Sequence, residues 1–214
     1  MEPNKLENME KAIESKKKPK KGFWREVREW VVSLAAALVI VLLIQNFLFT
    51  LIRVDGHSMD TTLADGERLF VTVADVKFGT VERNSVVICH YPNRGRTYFV
   101  KRVVAVPGDS VYRENGVTHV VYETVDESGE TVTVDEALDA QFVSVFYNSE
   151  DDYEPYVLGE DEYFVVGDNR GNSHDSRDWN DSDPSMDVGP ITKNMITGRV
   201  RYVIWPLGEM RSVE

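Results

Sequence analysis

Tyr98–Phe99–Val100–Lys101–Arg102–Val103–Val104–Ala105–Val106 is a run of aromatic and β-branched residues with two cations at its centre. It closes on Pro107–Gly108–Asp109, a turn sequence, and is too short and too β-branched to read as a helix. Alternate side chains of a strand share a face, so Lys101 lies between Phe99 and Val103 while Arg102 lies with Val100 and Val104. One of the two cations must therefore share an apolar face. An edge-strand lysine would pack its stem and send its ammonium to water. A buried lysine would instead have a lowered pKa, because desolvation disfavours the charged form. A neutral amine of that kind can take the proton of a serine hydroxyl. The strand alone leaves both readings open.

Similar short runs occur on either side, at residues 69–73, 85–89, 97–106, 117–125, 131–134, 142–147, 163–166 and 199–205. Gly, Pro, Asn and Asp punctuate them, as in Pro92–Asn93–Arg94–Gly95, and no convincing amphipathic helix intervenes. The pattern predicts a mainly β fold, an all-β sandwich or barrel. Residues 126–162 are acidic and loosely patterned and read as an insertion or lid-like part rather than core. The inserted β subdomain is placed at about 113–160.

Residues 30–52 are 23 positions without a charge, enough to span a hydrocarbon core of ~30 Å as a transmembrane helix. The run is long for the apolar part of a signal peptide, lacks an obvious small-x-small exit and is preceded by 29 residues. Lys16, Lys17, Lys18, Lys20, Lys21, Arg25 and Arg28 precede it, and only Arg53 follows closely. The positive-inside rule then puts a polar, basic tail (1–29) in the cytoplasm and residues 53–214 outside, a single-pass type II anchor in the plasma membrane. Trp24 and Trp30 suit the interfacial belt. Charge divides accordingly: residues 1–53 carry +4 and residues 54–214 carry −16 of the net −12. An acidic domain repels phosphates, which argues against nucleic acid as a partner. The lone cysteine, Cys89, lies within Val86–Val87–Ile88–Cys89, so no intramolecular disulfide forms and a buried, inert thiol is expected.

Two further stretches carry chemistry. Gly56–His57–Ser58–Met59–Asp60–Thr61–Thr62–Leu63 starts within a few residues of the apolar run, and six extended steps from Ile52 reach Ser58 within ~20 Å. Alone it reads as a polar turn leaving a membrane helix. Gly167–Asp168–Asn169–Arg170–Gly171–Asn172–Ser173–His174–Asp175–Ser176–Arg177 is dense in groups that bond their own backbone and implies a tightly folded loop. Its acidic residues do not fall at EF-hand spacing, and no Glu closes it.

Taken together, the three stretches resemble those of the type I signal peptidases, membrane-bound Ser/Lys proteases that remove signal peptides from exported proteins. That family carries S-M-x-P-T-L after its anchor, then K-R-V-hydrophobic-x-x-P-G-D, then G-D-N-R-x-x-S-x-D-S-R. The C-terminal Gly198–Arg199 and Trp205–Pro206 are also similar, whereas residues 126–162 show little to align. The resemblance implies a signal-peptidase-like all-β catalytic domain at 53–214, with Ser58 as nucleophile and Lys101 as general base. Ser173 would hydrogen-bond and aim the lysine amine, and the Ser58 N–H would serve as oxyanion donor. Asp168 with Arg102, and Asp175 with Arg177, would be ion pairs that hold the loop. Met59 and Phe99 would line a pocket for small side chains. No metal or organic cofactor is implied. The implied partners are exported preproteins with small-x-small cleavage sites, the lipid bilayer and the secretion translocon.

The sequence departs from the family twice. Gly56 stands where some members use a serine side chain as a second oxyanion donor, and Thr61 stands where proline is usual. Threonine is expected to reach the φ near −65° that proline would fix, with weaker preorganisation. Three rival readings remain at this level. A Ser-His-Asp hydrolase would use His174 beside Asp175. A self-cleaving repressor would share the Ser/Lys pair, but the anchor and the acidic domain count against it. An anchored binding domain would not need Ser58 at all.

Overall fold

The computed structural model describes residues 22–95, 97–138, 152–179, 183 and 185–213. The basic run 16–21 and the expected strand at 142–147 lie outside them. The chain divides into two compact units, Met1–Leu43 and Ile44–Glu214.

Helix α1 spans Phe23–Phe47. Its start precedes the uncharged run because Arg25 and Glu29 stand one turn apart and pair across it at 3.3 Å, a spacing a helix favours. Its apolar side chains, Val31, Leu34 and Leu38 among them, are exposed along its length, and Phe23–Ile44 is long and apolar enough to cross a bilayer. The end differs from the expected 30–52. Residues Phe49–Arg53 form strand β1, which pairs antiparallel with β2 (Arg68–Thr72) over five residues. Apolar residues suit both lipid and a sheet face, so composition could not mark the change. Eleven residue steps, not six, therefore lead from the helix end to Ser58, which widens the bound on their separation to ~40 Å.

The second unit holds two antiparallel sheets. The remaining strands are β3 (Val86–Cys89), β4 (Phe99–Ala105), β5 (Ser110–Glu114), β6 (Val117–Val125), β7 (Thr131–Ala137), β8 (Tyr153–Val157), β9 (Glu162–Val166), β10 (Ile191–Thr192), β11 (Ile196–Trp205) and β12 (Arg211–Ser212). A short helix α2 (Ala74–Phe78) follows β2. The larger sheet runs β1-β2-β11-β3-β4-β9-β10, with β12 paired to β11; the smaller runs β7-β6-β5-β8. The fold is mainly β, as the alternating runs predict. Sequence reading passed over β1, β5, β8, β10 and β12. Two of these are only two residues long, and β8 carries Pro155, which an edge strand tolerates because it has one unpaired side.

Strand β4 lies inside the larger sheet, between β3 and β9. Lys101 pairs with Val87, and Arg102 with Val86 on one side and Val166 on the other. Both faces of β4 are covered, which turns a cation on this strand into a buried one. One core gathers Val87, Cys89, Tyr91, Val103, Val165 and Ile191. Another gathers Met59, Leu63, Val71, Val86, Ile88 and Val200, so the residue after Ser58 and the end of its turn are themselves core.

The smaller sheet begins at Ser110, three residues before the expected insertion, and ends at Val157. The acidic stretch 126–162 is thus split: it supplies β7 and β8, while Glu162 already belongs to β9. Val104, Val111, Val120 and Phe164 form the core between the sheets. Arg83 clamps this junction. Its guanidinium donates to Val104 O (2.7 Å) and to both oxygens of Asp109 (2.7 Å each), and lies 3.7 Å from the centre of the Tyr122 ring on β6. Arg83→Ala leaves the buried Asp109 carboxylate without its cation, and should lower the unfolding free energy in urea by about 3 kcal/mol. Arg83→Lys, which cannot make the two-pronged contact, should recover only part of the loss.

Candidate active site

Ser58 sits in a tight turn after β1. Met59 O accepts the N–H groups of Thr62 (3.0 Å) and Leu63 (2.8 Å), and Met59 and Leu63 anchor the turn in the core. At Thr61 the backbone is left-handed, with φ +88°. This corrects the expectation that threonine adopts a proline-like φ here; a β-branched residue at positive φ is strained. Gly56, at φ +107°, gives its N–H to Asp65 Oδ1 at 3.0 Å and offers no side-chain donor.

The turn brings Ser58 Oγ to 2.7 Å from Lys101 Nζ. Lys101 is 2 % exposed. Burial pulls its pKa below the ordinary lysine value of 10.5; Asp175 works against this and Arg177 adds to it. A neutral amine in contact with a hydroxyl can accept its proton and raise its nucleophilicity. Burial also pushes the Cys89 thiol up to about 12, as expected of an inert core cysteine.

The loop at 167–177 holds both partners. Asn169 N donates to Ser58 O (3.0 Å) and Asn169 Nδ2 to His57 O (2.9 Å). Arg102 grips Asp168 with Nε on Oδ1 (2.9 Å) and Nη2 on Oδ2 (2.7 Å), and Thr62 Oγ1 donates to Asp168 Oδ2 (2.5 Å). Burial would raise the Asp168 pKa, but Arg102 and Thr62 outweigh it and hold the carboxyl below the usual range. Arg102 and Asp168 therefore bind the turn after Ser58 to the strand that carries Lys101. Asp175 and Arg177 are fully buried and paired through Nε–Oδ1 (2.8 Å) and Nη2–Oδ2 (3.0 Å). Burial opposes ionisation of Asp175, yet Arg177 keeps its pKa low. Asp175 Oδ2 also accepts Gly167 N–H at 3.0 Å.

Ser173 is 1 % exposed and packs against Gly167, where an added Cβ would lie 2.2 Å from Ser173 Oγ and 2.5 Å from Ser58 O. Only glycine fits there. The Ser173 hydroxyl makes no hydrogen bond to Lys101 or to any other group among the described residues. Sequence reasoning missed Asn169 and Thr62. A loop asparagine and a turn threonine carry no local signal until the loop and turn are seen to meet.

A cavity of about 150 Å³ opens beside Ser58, lined by Met59, Ile88, Phe99 and Val100 and by the backbone at Asp55 and Gly56. Met59 and Phe99, expected in a pocket, are both in its wall. His174 lies elsewhere in the network: its Nδ1 is 2.8 Å from Asp178 Oδ2, not paired with Asp175 as a Ser-His-Asp reading requires. Among the described residues no cluster of three or more His, Cys, Asp or Glu could hold a metal ion.

Residues 27–205 match the family model described as signal peptidase, peptidase S26. The chain is 34% identical over 187 residues to signal peptidase I S of Bacillus subtilis (strain 168), covering 87% of this chain and 94% of the relative. It is 33% identical over 188 residues to signal peptidase I of Bacillus amyloliquefaciens, with 88% and 93% covered. It is 32% identical over 191 residues to signal peptidase IB of Staphylococcus aureus (strain COL), with 87% and 94% covered. A solved signal peptidase I from Enterococcus faecalis V583 is 20% identical, with 56% of this chain and 96% of that chain covered, at a TM-score of 0.34. That last likeness is too loose to carry any argument.

Three stability outcomes follow from this geometry. Thr61→Gly relieves the left-handed strain and should gain ~1 kcal/mol in urea unfolding. Thr61→Pro cannot take φ +88° and should lose ~2 kcal/mol or more. Lys101→Met should be more stable than the wild type below pH 10.5, because the unfolded wild-type chain binds the lysine proton more tightly than the buried amine does. Wild-type stability rises with pH up to the ordinary lysine value of 10.5, so unfolding followed against pH should show the gap closing there.

Proposed function

The chain belongs to the signal peptidase family, peptidase S26, and from that premise we propose a membrane-bound endopeptidase with Ser58 as nucleophile and Lys101 as general base. Family membership supports a serine peptidase of the signal peptidase I type that cleaves signal peptides. The single observation that carries the assignment of roles is the 2.7 Å contact between Ser58 Oγ and the amine of a lysine that is 2 % exposed.

In the proposed reaction Lys101 Nζ takes the hydroxyl proton as Ser58 Oγ adds to the scissile carbonyl. The Ser58 N–H stabilises the developing oxyanion. Collapse of the tetrahedral species releases the new amino terminus, which takes the proton back from Lys101, and leaves an acyl-enzyme. Lys101 then activates a water that hydrolyses the ester and frees Ser58. Ser173 packs beside the pair as its positioning group, and the Asp168–Arg102 and Asp175–Arg177 pairs keep the turn and the strand in register. The side chain before the scissile bond enters the cavity bounded by Met59 and Phe99.

Helix α1 fits a membrane-anchored protein. The cations before it and their near absence after it support a cytoplasmic N-terminus and a catalytic domain on the outer face. The substrate's apolar segment would then remain in the bilayer while its small-x-small segment meets Ser58. Exported preproteins are the substrates; the bilayer and the secretion translocon are the surroundings this topology implies.

The test is cleavage of a preprotein by the detergent-solubilised full chain, with sequencing of the new N-terminus. Ser58→Ala and Lys101→Met should each lower kcat/KM by at least ~10³-fold, while His174→Ala should leave it within about threefold. A collapse in the His174 variant would favour a histidine base. Because the neutral amine is the active form, kcat/KM should fall as pH drops below the depressed Lys101 pKa; a rate flat through acid pH would overturn the mechanism.

A further inference from the structure

Phe99 lines the cavity beside Ser58, but its ring does not stand alone. Behind it lies Tyr91, stacked at 4.3 Å between ring centres with only 12° between planes. Tyr91 is 1 % exposed and does not line the cavity. It is fixed from its far side as well: its hydroxyl donates to His174 O at 3.1 Å, and the His174 ring meets it edge-on at 5.8 Å. His174 is in turn held by Asp178, whose Oδ2 also accepts Asp175 N–H at 2.9 Å. The loop that secures the lysine strand thus also braces the back of the cavity wall.

We propose that Tyr91 is a specificity-determining positioning residue, which sets how large a side chain the cavity admits by denying the Phe99 ring room to retreat. The inference rests on the peptidase reading and deepens it by naming what limits substrate size. A stacked aromatic pair is rigid, because each ring has few torsions and the two planes block each other's tilt. Interiors are close-packed, so a wall side chain yields only if something behind it yields. Phe99 has Cys89 opposite it on β3 and Tyr91 against its face. Loss of the Tyr91 ring frees space behind Phe99; because the Phe99 ring lies 6.0 Å from Lys101 Nζ, the readout is a ratio between two substrates, in which a change in the base itself cancels. The hydroxyl bond to His174 O places the tyrosine but does not fill space, so phenylalanine should serve nearly as well for size selection.

The experiment uses the detergent-solubilised full chain and two preproteins that differ only in the residue before the scissile bond, alanine in one and valine in the other. The readout is the ratio of their kcat/KM values, which a loss of folded enzyme leaves unchanged. Tyr91→Leu should shift this ratio toward valine by ~10-fold, the order that one or two methylenes in an apolar pocket command. Tyr91→Phe should keep the wild-type ratio. Tyr91→Met is read in the same way if the leucine variant does not fold. A wild-type ratio in the leucine or methionine variant overturns the proposal, as does an equal shift in Tyr91→Phe, which would assign selection to the hydroxyl link. Cleavage of the alanine substrate by wild type, and its loss in Ser58→Ala, report separately on the peptidase reading. That reading can therefore stand while this one falls.

Discussion

An amine enclosed by a β-sheet must either find a counter-charge or be drawn toward its neutral form, and burial pulls the Lys101 pKa down. Lys101 projects from a strand covered on both sides, and its one hydrogen-bond partner among the described residues is the Ser58 hydroxyl. The carboxylate that most favours its charged form, Asp175, is already matched by Arg177 in a fully buried two-pronged pair. Removing Arg177 from this picture would leave Asp175 free to hold Lys101 protonated. The buried ion pair therefore ties the loop and also offsets the pull of Asp175 toward a charged Lys101.

The serine turn is not rigid by its own sequence. It carries a strained residue at Thr61 and a glycine at position 56, and it is held in place by what it meets. Met59 and Leu63 sink into the core, Asn169 ties the backbone of His57 and Ser58, and Asp168 joins Thr62 to Arg102. These contacts are long-range in sequence, so strain in the turn is offset by packing elsewhere. Gly167 shows how close the approach is: a single methyl group there would overlap both Ser173 and the Ser58 carbonyl.

Much of this was legible in the residues. The run at 98–106 announced a strand with a misplaced cation, and the density of Asp, Asn, Ser and Arg at 167–177 announced a structured loop. The pairs Asp168–Arg102 and Asp175–Arg177, implied by the family resemblance, are both formed in the structure. The errors have equally physical origins. The apolar run at 30–52 combined a helix end with a strand because lipid and sheet both select apolar side chains. Thr61 was given a proline-like φ because local propensity favours it, whereas the tertiary contacts on either side force φ +88°.

The sequence by itself determined the class of the fold, the membrane-length helix and the pair of residues proposed to react, because periodicity, hydropathy and motif order are one-dimensional properties. Only the tertiary structure decided that Lys101 is buried rather than at an edge. That depends on which strands flank β4, and strand order is not written in any local pattern. The same holds for Asn169, Thr62 and Tyr91, whose roles exist only where distant segments meet. A residue type can announce what chemistry it is capable of, but the solvent it sees and the atom it touches are set by the rest of the chain.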